Sequence, residues 1–256
     1  MTPQVPTLDI LISTIADGLL KIPDMLLPER DGIRYVISVQ QAGSIPHSLT
    51  SRKDVTLDCT DGIGLSRNRN NAIRLSTADI CLIADDDNRY LPHHLDNILK
   101  SWQENPDADI LTFQAETYQG NLLHPYPATY VCSVEITFRR ESITGHGISF
   151  NEQFGLGSPL LCAGEEEVFI TDARRAGLKI KFIPMTIVRT NAVTTASHFI
   201  GNRQLQITKG ATFRYVYGTW NAVWRSFKEA SWYLFHKGAN PFPILFNMIR
   251  GIWILR

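Results

Sequence analysis

The chain has 256 residues, 44% of them hydrophobic, and its 25 Lys and Arg are matched by 25 Asp and Glu. That length supports one large core or two small ones, and a formal net charge of zero makes no electrostatic case for a nucleic-acid partner. Cysteines 59, 81, 132 and 162 have neither CxxC nor CxH spacing, which argues for reduced thiols rather than a disulfide framework or a zinc site. The N-terminal residues lack the basic region and apolar core of a secretory leader, and no apolar run reaches the 18 residues of a membrane span. A cytoplasmic protein is expected.

From the start, Leu8 to Thr14 reads as a strand ending in small polar residues, and Ala16 to Leu27 as a helix with apolar Leu19, Leu20, Ile22 and Leu26. Arg34 to Gln40 and Val55 to Cys59 are the next strands, Gly64 to Leu75 a helix, and Thr77 to Ala84 a fourth strand. Apolar residues at 91, 95, 98, 99 and 102 predict a helix by their 3.6-residue period, with Pro92 suited to its first turn. Alternating strands and helices argue for a mostly parallel, doubly wound α/β sheet, whose ligands bind beyond the carboxyl ends of the strands. That rule gathers Ser13 and Thr14, Gln40 and Gln41, and Asp85 to Asp87 along one rim.

The apolar run Ile80 to Ala84 leads straight into Asp85-Asp86-Asp87. Three adjacent carboxylates repel one another, and a hard divalent cation relieves that repulsion. A solvated turn before the next helix would also account for them. Upstream, Asp61-Gly-Ile-Gly-Leu-Ser-Arg67-Asn-Arg69 opens a helix. Helix N-termini attract phosphate, and Arg67 and Arg69 can add bidentate contacts. The alternative is a solvated start capped by Ser66. The pair His93-His94 on a first helical turn is expected in solvent.

In the second half, Ile110 to Gln114 and Thr129 to Phe138 read as strands, Arg139 to Gly147 as turn and loop, and Phe150 to Pro159 as a glycine-containing loop. Glu165 to Ala176 reads as a helix stopped by Gly177, followed by an extended stretch from Leu178 to Val188. Glu165, Glu166 and Glu167 at that helix start suit the macrodipole without any chemistry. The 44 residues from Phe213 to Arg256 hold 12 of the 25 aromatics, four of the five tryptophans and six Lys or Arg against the single acid Glu229. Trp220, Trp224 and Phe227 share one helical face. Such basic-aromatic helices either lie in a membrane interface or use their rings as core.

Four blocks in order resemble the GT-A glycosyltransferases of the inverting family 2 type. They are the strand Asp9 to Thr14, the helix Gly64-Leu-Ser-Arg-Asn-Arg-Asn-Asn-Ala-Ile, the block Leu82-Ile-Ala-Asp-Asp-Asp-Asn-Arg-Tyr-Leu, and Phe154-Gly-Leu-Gly followed by Gly164-Glu-Glu-Glu-Val-Phe-Ile. The resemblance covers about residues 8 to 190. It implies a GT-A, Rossmann-like sheet flanked by helices over 1–204, with a nucleotide-binding half (1–110) and an acceptor half (111–204), and an amphipathic helical extension over 205–256. It also implies an inverting sugar transfer from a nucleotide-diphosphate sugar, a UDP-sugar, to a hydroxyl of a glycan or lipid-linked acceptor in cell-surface polysaccharide biosynthesis. On this reading Asp85 and Asp87 hold Mn²⁺ or Mg²⁺, and Ser13, Thr14, Gln40, Arg67, Asp85 and Asp86 bind the nucleotide sugar. Glu166, with Glu165 next, is the base.

The chain departs from the family in three places. Gln40-Gln-Ala-Gly-Ser44 stands where the family often has an aspartate that reads uracil, and a neutral amide can still bond a base. Glutamate replaces the aspartate of the Gly-Glu-Asp block. The late metal-ligand histidine has no plain counterpart, Asn191 and His198 being the candidates. Two other functions fit less of the chain. A sugar-nucleotide pyrophosphorylase needs a basic glycine-rich loop after the first strand, which Ser13 to Leu19 lacks. A catalytically silent nucleotide-sugar or carbohydrate-binding module would not hydrolyse a donor. A lipid-linked acceptor would place the protein peripherally on the inner face of the plasma membrane.

Overall fold

A computed structural model describes residues 5–123, 131–191 and 198–255. The chain divides into two compact units, Met1–Ser149 with Asp172–Ala192, and Phe150–Thr171 with Val193–Arg256. The second unit thus draws on residues 150–171 as well as on the end of the chain.

The first unit is built on seven strands: β1 (Leu8–Ile15), β2 (Ile33–Gln40), β3 (Val55–Thr60), β4 (Ile80–Asp85), β5 (Ile110–Thr117), β6 (Ile136–Arg139) and β7 (Ile180–Thr190). Their order is β3-β2-β1-β4-β6-β5-β7, with β6 antiparallel to both neighbours and every other pairing parallel. Between the strands run α1 (His47–Thr50), α2 (Leu65–Leu75), α3 (Pro92–Glu104) and α4 (Arg140–Gly145). β1 and β4 are buried along almost their whole length, as continuous apolar runs covered on both faces require. The register sets Ser13 beside both Ser38 and Asp85, so the carboxyl ends of β1, β2 and β4 form one rim. At the opposite end of β1 the buried Asp9 accepts bonds from Arg34, Ser76, Thr77 and Ala78. Burial pushes the Asp9 carboxyl up, but those bonds outweigh it and hold the group below its ordinary value.

Several expectations are corrected. The stretch after β1 is a 3-10 helix, Ala16–Met25, with Pro23 inside it withholding an N–H. Of the strand expected over 129–138, residues 129 and 130 lie outside the described residues, and β6 begins only at Ile136. A 3-10 turn over Ser133–Glu135 precedes β6, where the Glu135 carboxylate accepts the N–H groups of Cys132 (2.9 Å) and Ala115 (3.2 Å). The expected loop after it is the helix α4, which turns Ile143 inward. Ser66 does not cap α2: Gly64 holds the N-cap position at φ 146°, in the left-handed half of backbone space that favours glycine. His94 is buried rather than solvated, and its Nδ1 accepts the Leu91 N–H at 3.3 Å. Burial, with His93 alongside, lowers its pKa to about 4, so the ring is the neutral acceptor this bond needs. His93 itself is exposed. Pro184 lies inside β7, on the sheet edge, where the register with β5 slips between Thr112 and Gln114.

The second unit contains α6 (Arg203–Tyr217), α7 (Thr219–Lys237) and α8 (Pro241–Ile252), and α5 (Glu165–Arg175) starts in it. α6 and α8 cross at reciprocal glycines. A Cβ on Gly210 would strike the Met248 carbonyl, and one on Gly251 the Ile207 carbonyl. The core of this unit is made from Leu205, Phe213, Ile244, Met248 and Ile252 with the small residues Ala222 and Ala230.

Candidate functional site

In the first unit the rim brings together side chains that are far apart in sequence. β4 ends at Asp85, and Asp86 and Asp87 form a turn closed by the buried Asn88. The Asn88 amide oxygen accepts the Asp85 N–H at 2.8 Å, while its NH2 donates to Asp87 (3.4 Å) and to the Thr190 hydroxyl at the end of β7 (3.2 Å). Asn88 therefore braces the turn at its Asp85 backbone and its Asp87 carboxylate, a positioning role that reading the sequence missed.

Each aspartate has its own surroundings. Asp85 is 38% exposed, with one oxygen 3.2 Å from the buried Arg69 guanidinium and the other 3.3 Å from the Ser133 hydroxyl. Asp86 accepts the Thr14 hydroxyl at 2.5 Å and lies 3.7 Å from Lys21 Nζ. Gly18 packs so closely here that a Cβ would strike both Asp86 and Thr14. Asp87 accepts from the Asn191 amide at 2.7 Å, and its carbonyl accepts the Tyr118 hydroxyl at 2.5 Å. Of the two late metal-ligand candidates, Asn191 thus sits on Asp87, while His198 is an exposed residue of the second unit.

The remaining expected ligands of the first unit behave differently from one another. Ser13 is buried, and its hydroxyl has no hydrogen-bond partner; neither has the side-chain oxygen of buried Asn68, whose NH2 holds the Thr14 carbonyl at 2.8 Å. Unpaired buried polar atoms of this kind cost about 1–3 kcal/mol each and concentrate where a ligand completes the bonding. Gln40 faces the start of α2. Its amide is spent at both ends on the Gly64 backbone, accepting the N–H at 3.0 Å and donating to the carbonyl at 3.2 Å. Gln40 thereby ties the start of α2 to β2. Arg67 is exposed, whereas Arg69 is buried against Asp85. The helical period carries the signal, because Asn68, Arg69, Ala72 and Ile73 make one inward face that excludes Arg67.

The donor set suits a hard cation. Asp85 and Asp87 present carboxylate oxygens whose existing bonds leave lone pairs free, and Mg²⁺ or Mn²⁺ takes oxygen ligands. Among the described residues no three His, Cys, Asp or Glu converge as a metal-binding group. The protein would thus supply two carboxylates and leave the remaining positions to phosphate oxygens and water, the usual arrangement for magnesium.

In the second unit, α5 starts directly after Gly164, which has a φ of 87° and packs against Thr212 too closely for any side chain. Glu165 and Glu166 are buried, at 4% and 8% exposure. Glu167 forms an ion pair with Lys209 at 3.2 Å, and Lys209 Nζ also lies over the Phe213 ring at 5.1 Å from its centre.

Comparison with known families matches residues 56–156 to Glycosyl transferase family 2. The matched segment holds α2, β4 and the aspartate triplet. No curated protein matches the chain. Among solved structures, S. aureus TarS superposes with a TM-score of 0.57 at 12% identity, over 91% of this chain and 44% of that one. TarS 1–349 in complex with UDP gives 0.57 at 13% identity, over 91% of this chain and 73% of that one. The mannosyltransferase PcManGT from Pyrobaculum calidifontis, in complex with GDP-Man and Mn²⁺, gives 0.57 at 16% identity, over 98% and 71%. The chain therefore spans less than half the length of the first of these TarS chains. Its fold is the GT-A fold, and its resemblance to family 2 glycosyltransferases holds in both the segment match and the architecture.

Proposed function

We propose that this chain is an inverting glycosyltransferase that moves a sugar from a nucleotide-diphosphate donor to a hydroxyl group. The observation that carries the reading lies within the first unit. Three carboxylates, a buried arginine and two buried, unpaired polar atoms converge on one rim, inside the segment that matches Glycosyl transferase family 2 or beside it in the sheet. The donor class follows from that chemistry and is supported by what the similar structures hold, UDP in one and GDP-Man with Mn²⁺ in the other. A UDP-sugar remains the first donor to test. The acceptor we propose is a glycan or a lipid-linked sugar of a cell-surface polysaccharide pathway.

Asp85 and Asp87 would hold Mn²⁺ or Mg²⁺, which when bound supplies a Lewis acid that neutralises the diphosphate leaving group. Asn88 braces the Asp85 backbone and, with Asn191, restrains the Asp87 carboxylate. Arg69 partly balances the charge of Asp85. Asp86, held by Thr14, is available to a ribose or sugar hydroxyl. The resemblance assigns Glu166 as the base that removes the acceptor proton while the oxygen attacks the anomeric carbon opposite the leaving group, with Glu165 second in line. A single displacement of this kind inverts the anomeric centre.

The test is transfer from a panel of nucleotide sugars with Mn²⁺ or Mg²⁺. Glu166→Gln should lower turnover by about 10²–10⁴-fold, the usual worth of a general base, while leaving donor affinity unchanged. Full turnover in this variant would remove Glu166 as base, and no hydrolysis or transfer from any donor would favour a silent binding module.

A further inference from the structure

The helices α7 and α8 reverse the usual rule for surface helices. On α7 the buried face is made of small residues, Ala222, Ser226 and Ala230, at four-residue spacing. Trp220, Trp224, Phe227 and Phe235 fall on the opposite side of the helix, with Trp220 at 84% and Phe235 at 80% exposure. α8 repeats the arrangement: Ile244, Met248 and Ile252 face in, while Phe242 (78%), Phe246 (68%) and Trp253 point out. The aromatics of this region are therefore in large part not core. The surface also carries a charge pattern. Arg225 and Lys228 line a groove of about 480 Å³ together with Tyr217, Trp224 and Trp232, and Arg225 stacks over the Tyr217 ring at 3.6 Å. The single acid of the region, Glu229, has its carboxyl pKa raised by burial, and Glu167 adds to the rise despite Lys209. No helix among the described residues is long and apolar enough to cross a membrane.

We propose that α7 and α8 form a peripheral docking surface for an anionic bilayer, laying their outward rings into the interface with Arg225 and Lys228 on lipid phosphates. Aromatic rings are amphipathic enough for the headgroup boundary, a helix with such rings on one side and cations beside them lies in that plane, and anionic lipid supplies the complementary charge. A second copy of the chain would cover the rings but would bring the same cations and no matching acid, which is why a membrane is the occupant the charge favours.

The experiment uses the full chain and vesicles of phosphatidylcholine alone or mixed with phosphatidylglycerol. The chain should float with the anionic vesicles, and its tryptophan emission should shift to the blue. Phe235→Ser/Phe242→Ser/Phe246→Ser should lower the bound fraction by more than about tenfold. Arg225→Gln/Lys228→Gln should weaken binding to anionic vesicles by about fivefold per cation and leave the weaker binding to phosphatidylcholine unchanged. Unchanged melting temperatures would confirm that both variants are folded. A chain that stays out of the floating fraction, or a triple serine variant that floats as well as the parent, would overturn the proposal. So would a lipid-free dimer that the serine substitutions convert to monomer, which would assign the face to a second copy. None of these readouts involves sugar transfer, so they stand or fall independently of the proposed activity.

Discussion

The rim of the sheet and the outer face of α7 and α8 break the same rule in opposite directions. At the rim, polar side chains are turned inward: Ser13, Asn68, Arg69 and Asn88 are all buried. On α7, α8 and Trp253 at the end of α8, eight aromatic rings are exposed. Inward polar groups cost stability unless they are paired, and outward rings forgo the burial that normally stabilises a fold. A chain under no functional demand would do neither. The difference between them is informative. At the rim Arg69 and Asn88 are tied to the aspartate turn, while Ser13 and Asn68 keep unpaired polar atoms, as a site for a small charged ligand needs. The rings stand mostly in solvent, Trp220, Phe235 and Phe242 most of all, as a surface that meets a soft partner needs.

The comparison can be broken by substitutions whose effects it ranks. The largest belongs to the rim. Asn88→Ala removes the acceptor for the Asp85 N–H and the bridge to Thr190, and should destabilise the protein by about 2–3 kcal/mol in denaturant unfolding while weakening metal-dependent donor binding. Next comes Gly210→Ala, which sets a Cβ against the Met248 carbonyl. Backbone cannot step aside as a side chain can, so a loss of about 2 kcal/mol is expected, within the range for overpacking. This would show that α6 and α8 are held by their close crossing rather than by the exposed aromatics. The smallest is Trp224→Ser on the outer face, which should change stability by less than about 0.5 kcal/mol. A loss of several kcal/mol there would mean that the ring is core after all and would collapse the contrast.

Most of the sheet was legible because strands buried on both faces must be written as unbroken apolar runs. Leu8 to Thr14 and Arg34 to Gln40 were expected, and the strands found are Leu8–Ile15 and Ile33–Gln40. Short elements held by side chains were not legible. The turn at Ser133–Glu135 depends on where Glu135 reaches, and β6 has only four residues in which to show a period. The triplet Asp85 to Asp87 stood out because three adjacent carboxylates need an explanation. Asn88 did not, because an asparagine is ordinary in a turn and its role depends on the partners it reaches, Asp87 next to it and Thr190 in a distant strand. The preference for Arg69 over Arg67 could have been read from the helical period, and so could the orientation of α7, whose small residues at 222, 226 and 230 mark the inner face. The aromatics drew the eye first, and a row of rings alone does not say which way it points.

The central claim is that the rim binds a nucleotide sugar through a cation held by Asp85 and Asp87. Its most direct test is the melting temperature of the full chain and of Asp87→Asn with UDP- and GDP-sugars, with and without Mn²⁺. A donor at about a hundred times its Kd adds about 2.7 kcal/mol, which for a chain of this size is several degrees. The account predicts that rise for at least one donor in the parent chain, its loss when Mn²⁺ is chelated, and no rise in Asp87→Asn. Equal stabilisation without metal, or in Asp87→Asn, would contradict it.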